Sequence, residues 1–65
     1  MIDHWFEVFY RFPIAGTVAI GKEEIKDASS TDEAIEKARN LHPHAKMEIT
    51  QVTEWKGDSF IKQRF

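Results

Sequence analysis

The chain of 65 residues contains no cysteine and no long apolar run. The missing thiols exclude a disulfide framework and any thiolate metal site, and they make a cytoplasmic location the simplest expectation. No apolar segment approaches the roughly 20 residues that a membrane-spanning helix needs. The opening residues, MIDHWF, lack the basic region and the small-residue cleavage site of a signal peptide. We therefore predict neither a signal peptide nor a membrane segment.

An excess of positive charge is also missing, since the formal net charge is −2 at pH 7. Non-specific nucleic-acid binding relies on neutralising phosphates, so the overall charge gives no support to that function. The composition, 42% hydrophobic and 31% charged, is typical of a folded protein. We predict a single domain over residues 1–65. A domain of this size buries only about 60% of the surface of its unfolded chain, so its stability is marginal or is helped by a partner.

Motifs for catalysis and metal binding are absent or incomplete. Residues 16–22, GTVAIGK, have the spacing of a phosphate-binding loop, but Glu23 stands where a serine or threonine must bind Mg²⁺. His42 and His44 flank Pro43, and with His4 they form no recognised metal-ligand spacing. There is no cysteine nucleophile, and helix capping explains the hydroxyls of residues 29–31. We predict a protein that is not an enzyme and has no cofactor and no metal site.

Four strands and one helix follow from the hydrophobic periodicity and the turn signals. The strands occupy residues 4–12, 17–27, 45–55 and 59–64, and the helix occupies residues 31–41. A two-residue turn with Gly57 in its first position joins the last two strands. The predicted fold is therefore α+β, a small β-β-α-β-β sheet that is mostly antiparallel, with one helix packed on one face.

The second strand is open to two interpretations. Val18 and Ile20 have one parity and Ile25 has the other, so a bulge near Gly21 and Lys22 would bring all three to the same side. Alternatively, the strand ends at Gly21 and the following KEE is a loop.

The helix has clear boundary signals. Ser30 is the expected N-cap, and Glu33 three residues later completes a capping box. The helix ends near Leu41 because Pro43 disfavours helical backbone at His42. An apolar stripe at helical spacing predicts the buried side, formed by Ala34, Ile35, Ala38 and Leu41.

Strand one has five aromatic residues among positions 4–12 and is apolar on both faces. The even positions are uniformly apolar and should face the core: Phe6, Val8, Tyr10 and Phe12. The odd positions mix two aromatic and two charged residues: Trp5, Glu7, Phe9 and Arg11.

One short helix covers one face, so we expect the odd face to stay uncovered and to form an interaction surface. Val52 has the opposite parity to Met47 and Ile49 and is a candidate for that same face. The alternative is that the C-terminal segment around Phe60 and Phe65 covers it.

A second candidate surface is acidic. Residues 23–36 contain six carboxylates against Lys26 alone: Glu23, Glu24, Asp27, Asp32, Glu33 and Glu36. The block is either a solvated face or a docking patch that steers a basic protein partner.

The stretches EEIKDASSTDEAIEKARN and MEITQVTEW resemble small β-β-α-β accessory proteins of phages, plasmids and bacterial chromosomes. The resemblance covers about residues 4–55 and carries no catalytic residue across. It implies a small protein that binds and modulates a larger one.

The resulting hypothesis is a non-enzymatic protein-binding module with an unidentified protein partner. Its candidate contacts are Trp5, Phe9 and Arg11 on the aromatic face, the six carboxylates, or both. One alternative is a weak single-stranded nucleic-acid binder, in which bases stack on the aromatic rings and Lys62 and Arg64 add charge. The other is a homodimer whose exposed sheet face is purely structural.

Overall fold

A computed structural model describes residues 4–43 and 46–65. It contains β1 (His4–Ile14), β2 (Thr17–Ile25), α1 (Thr31–Leu41), β3 (Glu48–Lys56) and β4 (Ser59–Arg64). The strands form one sheet in the order β2-β1-β3-β4, and all three pairings are antiparallel. The α+β prediction with one helix on the sheet is confirmed. The predicted strand start at Ala45 and the candidate ligand His44 lie outside the described residues.

Both hairpins use two-residue turns with left-handed backbone. Ala15 and Gly16 join β1 to β2 with φ values of 46° and 82°. Gly57 has φ 61°, as the sequence predicts for the first position of the β3–β4 turn. β1 therefore runs two residues beyond the predicted end at Phe12. Pro13 is tolerated there because it lies past Arg11, the last residue of β1 that pairs with β3.

β2 continues past Gly21 without any irregularity. Its register against β1 is constant from Ile14↔Thr17 to Phe6↔Ile25, so both interpretations are wrong, the bulge near Gly21 and Lys22 and the strand end at Gly21. Gly21 has a packing role instead. A Cβ atom at that position would lie 2.6 Å from atoms of the Tyr10 ring, which closely covers the glycine. Because the register is constant along β2, Val18 and Ile20 lie on the face opposite that of Ile25.

The irregularity lies in β3. Phe9 is opposite Gln51, whereas Tyr10 is opposite Ile49, so Thr50 is an extra residue in β3. The Thr50 hydroxyl donates a hydrogen bond to the Phe9 carbonyl oxygen at 3.3 Å.

This bulge changes which β3 side chains face the helix. Met47, Ile49 and Val52 are all buried in the core on the helix side. The assignment of Val52 to the second face is therefore wrong, because Val52 lies opposite Val8 and is 1% exposed. Met47 and Ile49 have the same parity as Trp55 in the sequence, but the bulge places them on the opposite face of the sheet.

The helix begins as the sequence predicts. The Glu33 backbone N–H donates to the Ser30 Oγ at 3.2 Å, while the Glu33 carboxylate accepts from the Ser29 hydroxyl at 3.0 Å. Ala34 and Ala38 are fully buried against the sheet. Leu41 is 57% exposed, so its inclusion in the buried stripe is wrong. Within the described residues, no helix is long and apolar enough to cross a membrane.

The N-cap gives a first prediction. Ser30→Ala should lower the free energy of unfolding by about 1 kcal/mol, because a helix N–H loses its acceptor. Urea denaturation monitored by circular dichroism measures the loss. Ser29→Ala is the control, since its hydroxyl contacts a side chain and caps no backbone group, and we expect a smaller effect. Equal effects would mean that Ser30 has no special role at the helix start.

The two faces of β1 give a second prediction. Phe6 is fully buried under the helix, so Phe6→Ala should cost about 3–5 kcal/mol, which approaches the whole stability of so small a domain. Phe9 is half-buried, and Phe9→Ala should cost less than about 2 kcal/mol in the monomer. Thermal unfolding at low protein concentration compares them. Equal destabilisation would contradict the assignment of Phe9 to an uncovered face.

Candidate functional site

The candidate site is the sheet face opposite α1, called the open face here. It carries the odd-numbered side chains of β1 from Trp5 to Arg11 together with their register partners on β2, β3 and β4. Among residues 4–43 and 46–65, no second element lies across it. β4 pairs edge to edge with β3, and the Phe65 N–H donates to the Thr50 carbonyl at 3.0 Å. The C-terminal segment therefore extends the sheet and does not cover the face.

An aromatic row crosses three strands at one end of this face. Trp5 is opposite Trp55 on β3, and Trp55 is opposite Phe60 on β4. The two indole rings stack with centroids 5.7 Å apart and planes 9° apart. The Phe60 ring is tilted against Trp55 at 4.9 Å. Both tryptophans are half-buried and Phe60 is 50% exposed, so the row offers a contiguous apolar surface.

A carboxylate fixes the central ring of the row. The Trp55 Nε1–H donates to Glu7 Oε1 at 2.6 Å, and the Lys22 ammonium lies 3.1 Å from Glu7 Oε2. Burial by itself raises the pKa of Glu7, but the hydrogen bonds from Trp55 and Lys22 and the lysine charge outweigh it, so the net pKa is lowered. Glu7 thus stays charged at neutral pH and holds the Trp55 indole in one orientation.

Basic side chains accompany the aromatic rings. Lys22 Nζ lies 5.9 Å from the centroid of Phe9, and Lys62 Nζ lies 5.5 Å from that of Phe60. Arg11 forms an ion pair with Glu48 at 2.7 Å, but both side chains are largely exposed, so the pair adds little stability. The predicted contacts Trp5, Phe9 and Arg11 therefore share one face, and their participation in binding stays a prediction.

The six predicted carboxylates do not form one patch. Glu23 and Glu24 are on opposite faces of β2. Glu23 accepts hydrogen bonds from His42 Nε2 at 2.8 Å and from the Tyr10 hydroxyl at 3.0 Å. The His42 contact, with the help of Tyr10, lowers the pKa of Glu23 despite its partial burial. Glu23 is thus occupied in tying the helix end to the sheet.

Two other acidic side chains, Asp27 and Glu33, form ion pairs with the same lysine. The Lys37 ammonium lies 3.0 Å from Asp27 and 3.8 Å from Glu33. The remaining three carboxylates, all exposed, make no ion pair within the described part of the chain: Glu24, Asp32 and Glu36. A docking role for the acidic block stays a prediction, but these pairs leave fewer free charges than the sequence count suggests.

The histidines are separated as well. His4 contacts Glu54 at 2.6 Å and His42 contacts Glu23. No group of three or more potential metal ligands occurs among the residues described, which do not include His44.

Sequence reasoning missed several members of the open face, among them Trp55, Phe60 and Lys22. A signal for two of them was present. The two-residue turn at Gly57 sets Lys56 opposite Ser59, which in turn sets Trp55 opposite Phe60. The face of Lys22 was left open because the second strand had two interpretations, a bulge near Gly21 and Lys22 or a strand end at Gly21.

No family model matches the chain, and neither a curated protein nor a solved structure matches it. The functional argument therefore rests on the open face itself.

The lowered pKa of Glu7 gives a third prediction. A carboxyl whose native pKa lies below its ordinary value of 4.5 stabilises the fold above that pH, and the contribution is lost as the pH falls through the native value. Glu7→Gln should therefore be less stable than the wild type at pH 7, and this difference should shrink below pH 4.5.

Urea midpoints between pH 7 and pH 3 measure this difference, with Glu24→Gln as the exposed control on the same face. A gap between wild type and Glu7→Gln that stays constant across this range would contradict the role assigned to the carboxylate.

Proposed function

We propose that the protein is a non-enzymatic module that captures a partner protein on its open face. The observation that carries the proposal is the aromatic row of Trp5, Trp55 and Phe60 on a sheet face that no described element covers. Exposed apolar patches of this kind are typical of interaction sites on small proteins. Tryptophan and tyrosine anchors dominate the binding energy of many interfaces.

The order within the row supports a binding role. Trp55 is held by the Glu7 carboxylate and stacked against Trp5, so few rotamers remain to be frozen when a partner arrives. Binding to a preorganised side chain costs less conformational entropy than binding to a mobile one. The surrounding polar groups, such as Lys62, form a rim of the kind that protein interfaces show.

The ionisable groups support binding rather than catalysis. General acid–base catalysis works best with a pKa near the operating pH. The pKa of Glu7 is lowered by its hydrogen-bond partners, and the pKa of Glu48 is lowered by the hydrogen bond and charge of Arg11. Both carboxylates are therefore suited to staying charged and to fixing their neighbours in place.

Single-stranded nucleic acid is the second candidate because Lys62 and Lys22 lie near aromatic rings. Two observations favour a protein partner over nucleic acid in this proposal. Trp55 already packs against Trp5 on one side and Phe60 on the other, which reduces the ring surface open to a base. Lys22 is neutralised by Glu7, and Glu24 is the β2 residue opposite Glu7 on the same face.

The biological setting is proposed from the sequence. The absence of cysteine supports a cytoplasmic location. The resemblance to phage, plasmid and bacterial accessory proteins supports a role in modulating a larger protein.

Site-specific photo-crosslinking tests the proposal and gives a fourth prediction. A photoreactive phenylalanine analogue at position 60 should form a covalent adduct with a partner protein in bacterial lysate. The same analogue at position 41 is the control, because Leu41 is 57% exposed, close to the 50% of Phe60, but lies on the helix. Adding Trp5→Ala to the position-60 variant should reduce the yield severalfold, since it removes part of the row.

Each outcome decides between the candidates. A protease-sensitive adduct of new mass from position 60, but not from position 41, supports the proposal. A nuclease-sensitive adduct favours nucleic acid, and an adduct of twice the chain mass favours a homodimer. Equal labelling from both positions, or none from either, contradicts binding at the open face.

A further inference from the structure

From the edge geometry we infer that the partner binds as an extended fifth strand along the outer side of β4, with acidic and apolar side chains in alternation. This inference rests on the proposed function and specifies how the partner approaches the open face. Strand addition to a sheet edge is a general mode of peptide recognition, in which backbone hydrogen bonds give affinity and alternate side chains give specificity.

The backbone of β4 is arranged to receive such a strand. β4 is the last strand in the order β2-β1-β3-β4, so its outer side has no paired neighbour in the described chain. The Phe65 N–H points to β3, where it bonds to Thr50. Because backbone groups alternate in direction along an antiparallel strand, those of Phe60, Lys62 and Arg64 point outward. Three consecutive outward positions provide donors and acceptors for a short added strand.

The side chains of β4 differ between its two faces. On β4 the open face carries one aromatic and two basic residues, Phe60, Lys62 and Arg64. The helix side carries Ile61 and Gln63, and Phe65 follows directly after the strand. Ile61 is 51% exposed and Phe65 is 67% exposed. A neighbouring strand complements both faces if its acidic side chains lie beside Lys62 and Arg64 and its apolar side chains lie beside Ile61 and Phe65.

The helix side favours apolar over acidic side chains for a further reason. A shallow groove separates the start of α1 from the end of β4, and its lining includes Asp32, Arg64 and Phe65. The two opposite charges give no preference for an acidic group there, whereas the exposed Phe65 ring favours an apolar one. We therefore expect the apolar side chains of the added strand on the helix side and its acidic side chains on the open face.

Charge selects an acidic strand over a second copy of this chain. Within residues 4–43 and 46–65, neither Lys62 nor Arg64 forms an ion pair, so both charges are available to a partner. Two copies paired through β4 would gather four cations along one line of backbone. The other sheet edge offers no such preference, because Lys22 of β2 is already paired with Glu7.

Designed peptides test the inference on the intact protein and give a fifth prediction. The probe is a seven-residue peptide in which glutamate alternates with valine and threonine. One control replaces glutamate with lysine, and another keeps the composition but groups the glutamates together. Two-dimensional NMR titration should show at least about tenfold tighter binding of the alternating acidic peptide than of either control. The largest amide shifts should fall on Phe60, Lys62 and Arg64.

Two sets of variants separate backbone pairing from charge. Lys62→Pro removes an outward N–H, whereas Lys62→Thr removes the same charge and keeps that N–H. We expect the proline variant to bind the acidic peptide at least severalfold more weakly than the threonine variant. The double substitution of Lys62 and Arg64 to glutamate should reverse the preference toward the lysine peptide. The charge-reversal result remains decisive if the proline variant does not fold.

The outcomes also separate this inference from the proposed function. Equal binding of the two peptide orders, no preference for glutamate, or no binding overturns strand addition at β4. If Phe60 still crosslinks to a lysate protein in that case, the open face binds a partner by another geometry. If neither experiment gives binding, both the inference and the proposed function fail.

Discussion

The bulge at Thr50 determines what each face of this sheet presents. One extra residue in β3 lets Met47 and Ile49 join Val52 under the helix, and Thr53 and Trp55 point the other way. Without it, the period of two along a strand would send two of these apolar side chains to the face that carries Trp55. This one bulge therefore places Met47 and Ile49 in the core and keeps them off the open face, where the aromatic row lies. The Thr50 hydroxyl supports the bulge through its bond to the Phe9 carbonyl.

The second constraint is that one helix cannot cover two faces. An 11-residue helix is about 16 Å long, and its two buried alanines let it lie close to one side of the sheet. On the open face, polar side chains and not a second helix hold the aromatic rings in place. Glu7 is the centre of this arrangement, since it contacts both Trp55 and Lys22. Within residues 4–43 and 46–65, the open face is thus ordered without a second layer.

Charge is distributed by local pairing more than by the net value. His42, directly after α1, contacts Glu23 of β2 and so connects the end of the helix to the sheet. Lys37 of α1 contacts Asp27 and Glu33, which stabilises the helix. The basic residues of β4 have no comparable partner in the described chain. The outer edge of the sheet at β4 is therefore basic, although the whole chain carries a net charge of −2.

The sequence by itself determined the order of the elements, the N-cap at Ser30, the β3–β4 turn and the inward face of β1. These features depend on local signals: a capping side chain, a glycine with positive φ, and alternation within one strand. The sequence did not determine the bulge at Thr50, the packing of Gly21 against the Tyr10 ring or the side chains that contact Trp5. Those depend on contacts between residues far apart in the chain, such as the Tyr10 ring over Gly21 and Trp55 beside Trp5. The periodicity of β3 does not reveal that Thr50 is an extra residue relative to β1, because the bulge forms only when the two strands pair. Only the tertiary structure therefore decided which side chains form the open face.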